Sequence, residues 1–249
     1  SLLQVDPGQS IRLRGPGQIT VLGSLLAHGG SIDIRQQQFG DIDPLENEVL
    51  GDNQANARSI WIGEQALLDV SGQANWALDS LGRRYGRVDA GGSIVIGGTV
   101  DTQLATATAA DAFVVLRPGS RLEASGASAV LDVRGVGSRE IASNGGSIAL
   151  ASHRGLLLDG SLHAAAGGST AAGGSLQVAL ETPVYASSTT DGSVLNVRRL
   201  VLGQSATEED VLAGVLPGEA TSGLVYGQAR VGADEIQAGG FTDLTLFSH

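Results

Sequence analysis

Residues 15–34 read Gly15-Pro16-Gly17-Gln18-Ile19-Thr20-Val21-Leu22-Gly23-Ser24-Leu25-Leu26-Ala27-His28-Gly29-Gly30-Ser31-Ile32-Asp33-Ile34. The stretch parses as strand, glycine turn, strand, Gly-Gly turn, strand. Alternation with period 2 aligns one set of side chains on one face, which is how a half-buried strand is written. Glycine pairs are expected to supply the positive φ that sharp corners need.

Working outward, the apolar–any–apolar unit recurs at Ile11-Arg12-Leu13, Ile32-Asp33-Ile34, Ile60-Trp61-Ile62 and Ile94-Val95-Ile96. It continues at Val114-Val115-Leu116, Ile148-Ala149-Leu150, Leu176-Gln177-Val178, Leu200-Val201-Leu202, Leu224-Val225-Tyr226 and Leu244-Thr245-Leu246. Gly-Gly-Ser precedes four of these units, at 29–31, 91–93, 145–147 and 173–175. The spacing has a floor of roughly 20 residues and a variable excess, as expected for stacked coils with loops inserted at corners. The expectation is an all-β, right-handed parallel β-helix of about ten coils, a rod of roughly 45–50 Å at about 4.8 Å per coil. A β-sandwich or barrel also uses short strands and glycine turns, but it does not explain the recurring glycine-flanked unit. Neither terminal sequence reads as a cap. One short helix is expected at Ala206–Ala213, with Thr207 at its start.

Composition agrees with narrow, repetitive layers. Of 249 residues, 42 % are hydrophobic, yet aromatics are only 4 %, Met is absent and Gly reaches 37. A wide irregular core would use more aromatic and Met side chains. The formal charge is −11, which argues against nucleic-acid and anionic-membrane partners. The absence of Cys removes disulfides, thiolate metal sites and cysteine nucleophiles. It also suits a chain that crosses an outer membrane unfolded. No apolar run is long enough to span a bilayer, and Ser1-Leu2-Leu3-Gln4-Val5 reads as the middle of a strand pattern. Residues 1–249 are therefore expected to form one β-helical domain cut from a larger protein.

The glycine-flanked coils at 15–34, and Gly145-Gly146-Ser147-Ile148 running on to Gly155-Leu156-Leu157-Leu158-Asp159-Gly160-Ser161-Leu162-His163-Ala164, resemble the shaft repeats of filamentous-haemagglutinin-like exoproteins. These are the secreted partners of two-partner secretion systems in Gram-negative bacteria. The resemblance implies export through a dedicated outer-membrane transporter, a secreted or cell-surface location, and a role in adhesion, biofilm formation or contact-dependent competition. It also implies a host-cell, glycan or bacterial-surface receptor. The Asn-Pro-Asn motifs usual in the family's secretion-signal domain are missing here, which points to a shaft or C-terminal region. A monomer is the expected state.

Four inserts are expected to leave the coils, at about 36–58, 73–89, 136–144 and 183–193, the last joined by the acidic Thr207–Asp210 stretch. The first carries Asp41, Asp43, Glu46, Glu48 and Asp52 but lacks calcium-loop spacing, so a solvated acidic loop is expected. The second sets Trp76 and Tyr85 beside Arg83, Arg84 and Arg87. These could stack on a sugar or grip an anionic polymer, but the expectation is that both rings fold back and cover the side of the rod.

The rival function is a β-helical polysaccharide lyase or glycosidase, which needs two facing carboxylates. Asp33, Asp69, Asp101, Glu123 and Asp132 are candidates but look scattered singly along strands. His28, His153, His163 and His249 lack zinc-site spacing. The Gly-rich run 166–174 lacks the Lys of a phosphate loop and reads as a corner insert. No catalytic residue, metal site or cofactor is expected, and no binding residues are assigned.

Overall fold

The computed structural model describes residues 1–36, 58–104, 106–181, 198–205, 210–219 and 221–248. Three parallel sheets wrap one aliphatic core, and successive strands fall in the three sheets in rotation. The first sheet (A) stacks β1 (Leu2–Gln4), β4 (Ser24–Leu26), β7 (Leu67–Asp69), β14 (Arg121–Glu123) and β19 (Ser161–His163). The second (B) stacks β2 (Ser10–Gly15), β5 (Ser31–Gln36), β10 (Ser93–Ile96), β17 (Ser147–Ser152), β20 (Ser175–Leu180) and β23 (Asp243–Ser248). The third (C) holds β3 (Ile19–Val21), β6 (Ser59–Ile62), β13 (Phe113–Leu116), β18 (Gly155–Leu158), β22 (Gln228–Gly232) and β21 (Arg199–Gly203), in that spatial order. This is a parallel β-helix.

Register stacks like on like. Leu25, Leu68, Leu122 and Leu162 form one ladder in sheet A, and Ile32, Ile94, Ile148 and Leu176 form one in sheet B. Ile60, Val114 and Leu156 do the same in sheet C. All of these are buried, and burying each aliphatic side chain contributes about 1.5–3 kcal/mol. Their equal width is why the core needs few aromatics.

The number of coils is smaller than the sequence implied. Among the described residues the sheets hold five, six and six strands, so the stack has about six levels and a rise of roughly 25 Å at about 4.8 Å each. The apolar–any–apolar unit occurs in both sheet B and sheet C, so a single coil carries it twice wherever both strands have it. Leu224–Tyr226 is not a strand; the sheet C strand follows it at Gln228–Gly232.

The Gly-Gly-Ser corners also have a different cause from the one expected. Among the four pairs only Gly29 has positive φ, at 60°. A Cβ on Gly92 would lie 2.0 Å from the Gly30 carbonyl oxygen, one on Gly146 would lie 1.9 Å from that of Gly92, and one on Gly174 would lie 1.9 Å from that of Gly146. The coils pass so closely here that any side chain collides with the backbone below. Positive φ is required elsewhere, as at Gly119 (φ 86°) after Pro118, where the chain turns from sheet C to sheet A.

Inserts leave at two of the three corners. Between sheets A and B, a hairpin of β8 (Ala74–Leu78) and β9 (Arg84–Val88) leaves one coil. A second, β15 (Ser128–Val133) with β16 (Gly137–Ala142), leaves the next coil at the same corner. The third expected insert therefore begins earlier than 136. A smaller hairpin, β11 (Thr99–Asp101) with β12 (Thr106–Thr108), lies between sheets B and C and was not anticipated. Most of the expected insert 36–58 and all of 183–193 lie outside the described residues. The Gly-rich run 166–174 is the corner insert it was read to be, between β19 and β20.

The chain abandons simple winding after β20. It enters sheet C first as β21, in the outermost position, then returns as β22 to pair with β18. Adjacent parallel strands need a crossover. The segment between them supplies it, laying Leu212, Val215, Leu224 and Tyr226 against the outward-facing Trp61, Val115 and Leu157 and the ring of Phe113. Helix α1 (Ala233–Gly239) then occupies the sheet A position above β19, where Ala164 N–H donates to the Gly239 carbonyl at 2.9 Å. A helix presents no strand edge, so it closes sheet A on that side. Neither terminal sequence had suggested this cover. The helix expected at 206–213 is not found in its described part, where residues 211–214 form turns.

Candidate functional site

Two places bring polar chemistry together. The first is the outer face of sheet A, where Asp69, Glu123 and His163 occupy successive rungs. The sequence had suggested isolated acids, but neighbouring rungs of a parallel sheet stand about 4.8 Å apart. Asp69 accepts from Ser71 N–H at 2.8 Å, and Glu123 accepts from Ser125 N–H at 3.0 Å and from the Arg121 guanidinium at 2.5 Å. Burial pushes the Glu123 carboxyl up, but the Ser125 and Arg121 hydrogen bonds outweigh it and hold it below the usual range. A general acid for glycoside cleavage needs the opposite shift. His28 Nδ1 lies 3.2 Å from Ser71 Oγ and 3.5 Å from Asp69 Oδ1. Both partners therefore share one ring nitrogen, whereas a nucleophile relay uses both.

The remaining expected acids are held locally. Asp33 pairs with Arg14 at 2.7 Å and Arg35 at 2.8 Å. Asp101 caps its own hairpin turn through Gln103 and Leu104 N–H. Asp132 accepts from Ser138 and from Arg84 N–H, bonds that pull its pKa down. His153 sits near the corner between sheets B and C, its Nδ1 donating to the Glu181 carbonyl at 2.9 Å. Burial lowers its pKa below the ordinary histidine value, against the upward pull of that bond. His249 and the first-insert acids lie outside the described residues. Among the described residues no three His, Asp or Glu side chains gather as a metal site.

The second place is the pair of hairpins at the corner between sheets A and B. Asp79 organises the first tip, accepting from Leu81 and Arg83 N–H and pairing with the Arg83 side chain, while Gly82 takes φ 75°. Cross-strand register puts Trp76 opposite Gly86 and Leu78 opposite Arg84, so these four share one face; Tyr85 lies on the other. Arg84 lies 5.1 Å over the Trp76 ring. Trp76 is 50 % exposed and Tyr85 57 %. The expectation that both rings fold back onto the rod is thus overturned. A two-stranded blade anchored at one corner leaves both faces in solvent, and its own backbone pairing satisfies it without the rod. A ring that does cover the rod's side is Trp61, at 4 % exposure. The second blade leans against the first, its Asp132 carboxylate 2.7 Å from Arg84 N–H. Sequence spacing marked Trp76, Arg84 and Tyr85, but nothing in it showed that a second blade one coil later would stand beside them.

At the feet of both blades runs an open groove of about 560 Å³, lined by the stacked corner glycines with Ser93, Asn144, Ser147, Thr242 and Asp243. Compared with known proteins, the chain matches no family model, no curated protein and no solved structure.

Proposed function

We propose that this chain is a stretch of β-helical shaft from a large exported bacterial surface protein of the filamentous-haemagglutinin-like kind, adhesive and structural in its work. The observation that carries the reading is the pair of blades. Two hairpins leave consecutive coils at one corner and hold Trp76, Leu78, Leu81 and Tyr85 in solvent, while the rod behind them is closed by aliphatic ladders. Exposed aromatics on a rigid support are the usual anchors of recognition. The lack of Cys and the glycine-flanked coils fit export through an outer-membrane transporter and a secreted or cell-surface location. The receptor is a host-cell, glycan or bacterial-surface molecule.

Beads coated with the chain are expected to adhere to a panel of epithelial and bacterial cells above albumin-coated beads. Replacing residues 74–88 and 128–142 by short Gly-Ser turns should remove the difference. Absence of adhesion, or adhesion indifferent to the blades, overturns the reading. The rival reading, cleavage of a polysaccharide, is favoured only by the neighbouring rungs of Asp69 and Glu123. It predicts new reducing ends that disappear in Asp69→Asn and Glu123→Gln.

A further inference from the structure

We propose that the Trp76–Arg84 face of the first blade, with the cations of the second, is a binding site for an anionic polysaccharide. The proposal deepens the adhesive reading and rests on it. Trp76, Leu78 and Arg84 share one face of the hairpin, and Trp76 and Leu78 are 50 % and 59 % exposed. The flat apolar surface of an indole stacks on the C–H face of a pyranose ring. A guanidinium lying on that ring keeps its N–H edge free to grip a carboxylate or sulfate in two-point fashion.

The charge around this face is opposite to that of the chain as a whole. The two blades carry Arg83, Arg84, Arg87, Arg134 and Arg139 against Asp79, Asp89, Asp132 and Glu140, within a protein of formal charge −11. Arg83 and Arg87 are taken up by Asp79 and Asp89, and Asp132 is occupied by Ser138 and the Arg84 N–H. Arg134 and Arg139 are exposed, and their side chains make no hydrogen bond or ion pair among the described residues. Arg84 thus lies over an open indole, and the abutting blade carries two further cations without a carboxylate ion pair among the described residues, Arg134 and Arg139. A polymer of acidic sugars supplies both complements at once, rings for Trp76 and repeated anions for the arginines. An acidic peptide lacks the rings.

The test is affinity electrophoresis of the 249-residue chain in native gels containing alginate, chondroitin sulfate or neutral dextran. Retardation is expected in the two anionic gels, whose shared group is the carboxylate, and not in dextran; retardation in chondroitin sulfate alone identifies the sulfate, which alginate lacks. Trp76→Ala and Arg84→Gln should each weaken the apparent affinity about tenfold, and both variants should melt with the parent because these side chains are exposed. No retardation in either anionic gel overturns the proposal. So does equal retardation in dextran, or tight binding by both variants. Beads that adhere to cells through the blades without any polysaccharide retardation sink this proposal and leave the adhesive reading standing. Loss of both sinks both.

Discussion

The protein has two tryptophans, and each lies under an arginine, Arg117 5.4 Å over Trp61 and Arg84 5.1 Å over Trp76. The local contact is nearly the same and the surroundings are opposite. Trp61 faces outward from sheet C but is sealed by the crossover between β21 and β22, against Leu212 and its neighbours. Arg117, only 3 % exposed, is held by Asp210 at 2.6 Å and Glu64 at 3.0 Å. Trp76 stays half exposed, and Arg84 has no carboxylate ion pair among the described residues. A cation over a ring therefore says little about role by itself. What distinguishes the two is whether the pair's remaining valences are already used: in the crossover they hold the fold, and on the blade they face solvent.

The sharpest way to break this comparison is to truncate each ring. Trp61→Ala should destabilise the protein by about 3–5 kcal/mol, the range for emptying a packed aromatic site. Trp76→Ala should change stability by no more than about 0.5 kcal/mol. Guanidinium denaturation followed by far-ultraviolet circular dichroism measures both, and comparable losses would dissolve the distinction.

Next comes the arginine. Arg117→Ala is expected to cost about 2–3 kcal/mol, because it removes a buried hydrogen-bonded charge. The figure lies below the usual range for a fully buried pair because Asp210 and Glu64 keep solvent contact, with 34 % and 64 % of their side chains exposed. The variant should also loosen the crossover, so that iodide quenches Trp61 fluorescence in a Trp76→Phe background. A crossover still sealed without Arg117 would mean that Leu212 and its neighbours hold it alone.

A pH titration separates the buried interior from the blades in a third way. The His153 pKa is lowered by burial, so the folded state resists the proton that the unfolded chain takes up near pH 6.5. Its contribution is fully present above the unfolded value and is lost as pH falls toward the folded one. The melting temperature should therefore decline between about pH 7 and about pH 5, and His153→Asn should flatten the decline. Removing the blades should leave the slope unchanged.

The smallest effect is expected from excising the first blade. Joining Gln73 to Asp89 through a short Gly-Ser turn should move the melting temperature by only a few degrees, because the Asp89 N–H to Gln73 carbonyl bond at 2.8 Å already closes its base. A collapse would show that the coil depends on the blade.

Much of this architecture is legible in the amino-acid sequence. Leu25-Leu26-Ala27 and Ile32-Asp33-Ile34 announce strands by alternation alone, and Gly-Gly-Ser marks the corner between them. Trp76, Arg84 and Tyr85 were legible as an insert of unusual composition, though the direction of the rings was not. Trp61 and Trp76 both follow an unremarkable local sequence, and only the distant Leu212 and Leu224 decide which is covered. The exchanged order of β21 and β22 left no local trace, since a sheet C strand reads alike in either position.

The strand unit, the aliphatic core and the corners are written in the chain itself, because alternation and the steric need for glycine act over a few residues. Which sheet each unit joins, how many coils result and which aromatic stays in solvent are set by folding. Those outcomes depend on contacts between residues far apart in the chain, where strands of identical local pattern compete for the same rung.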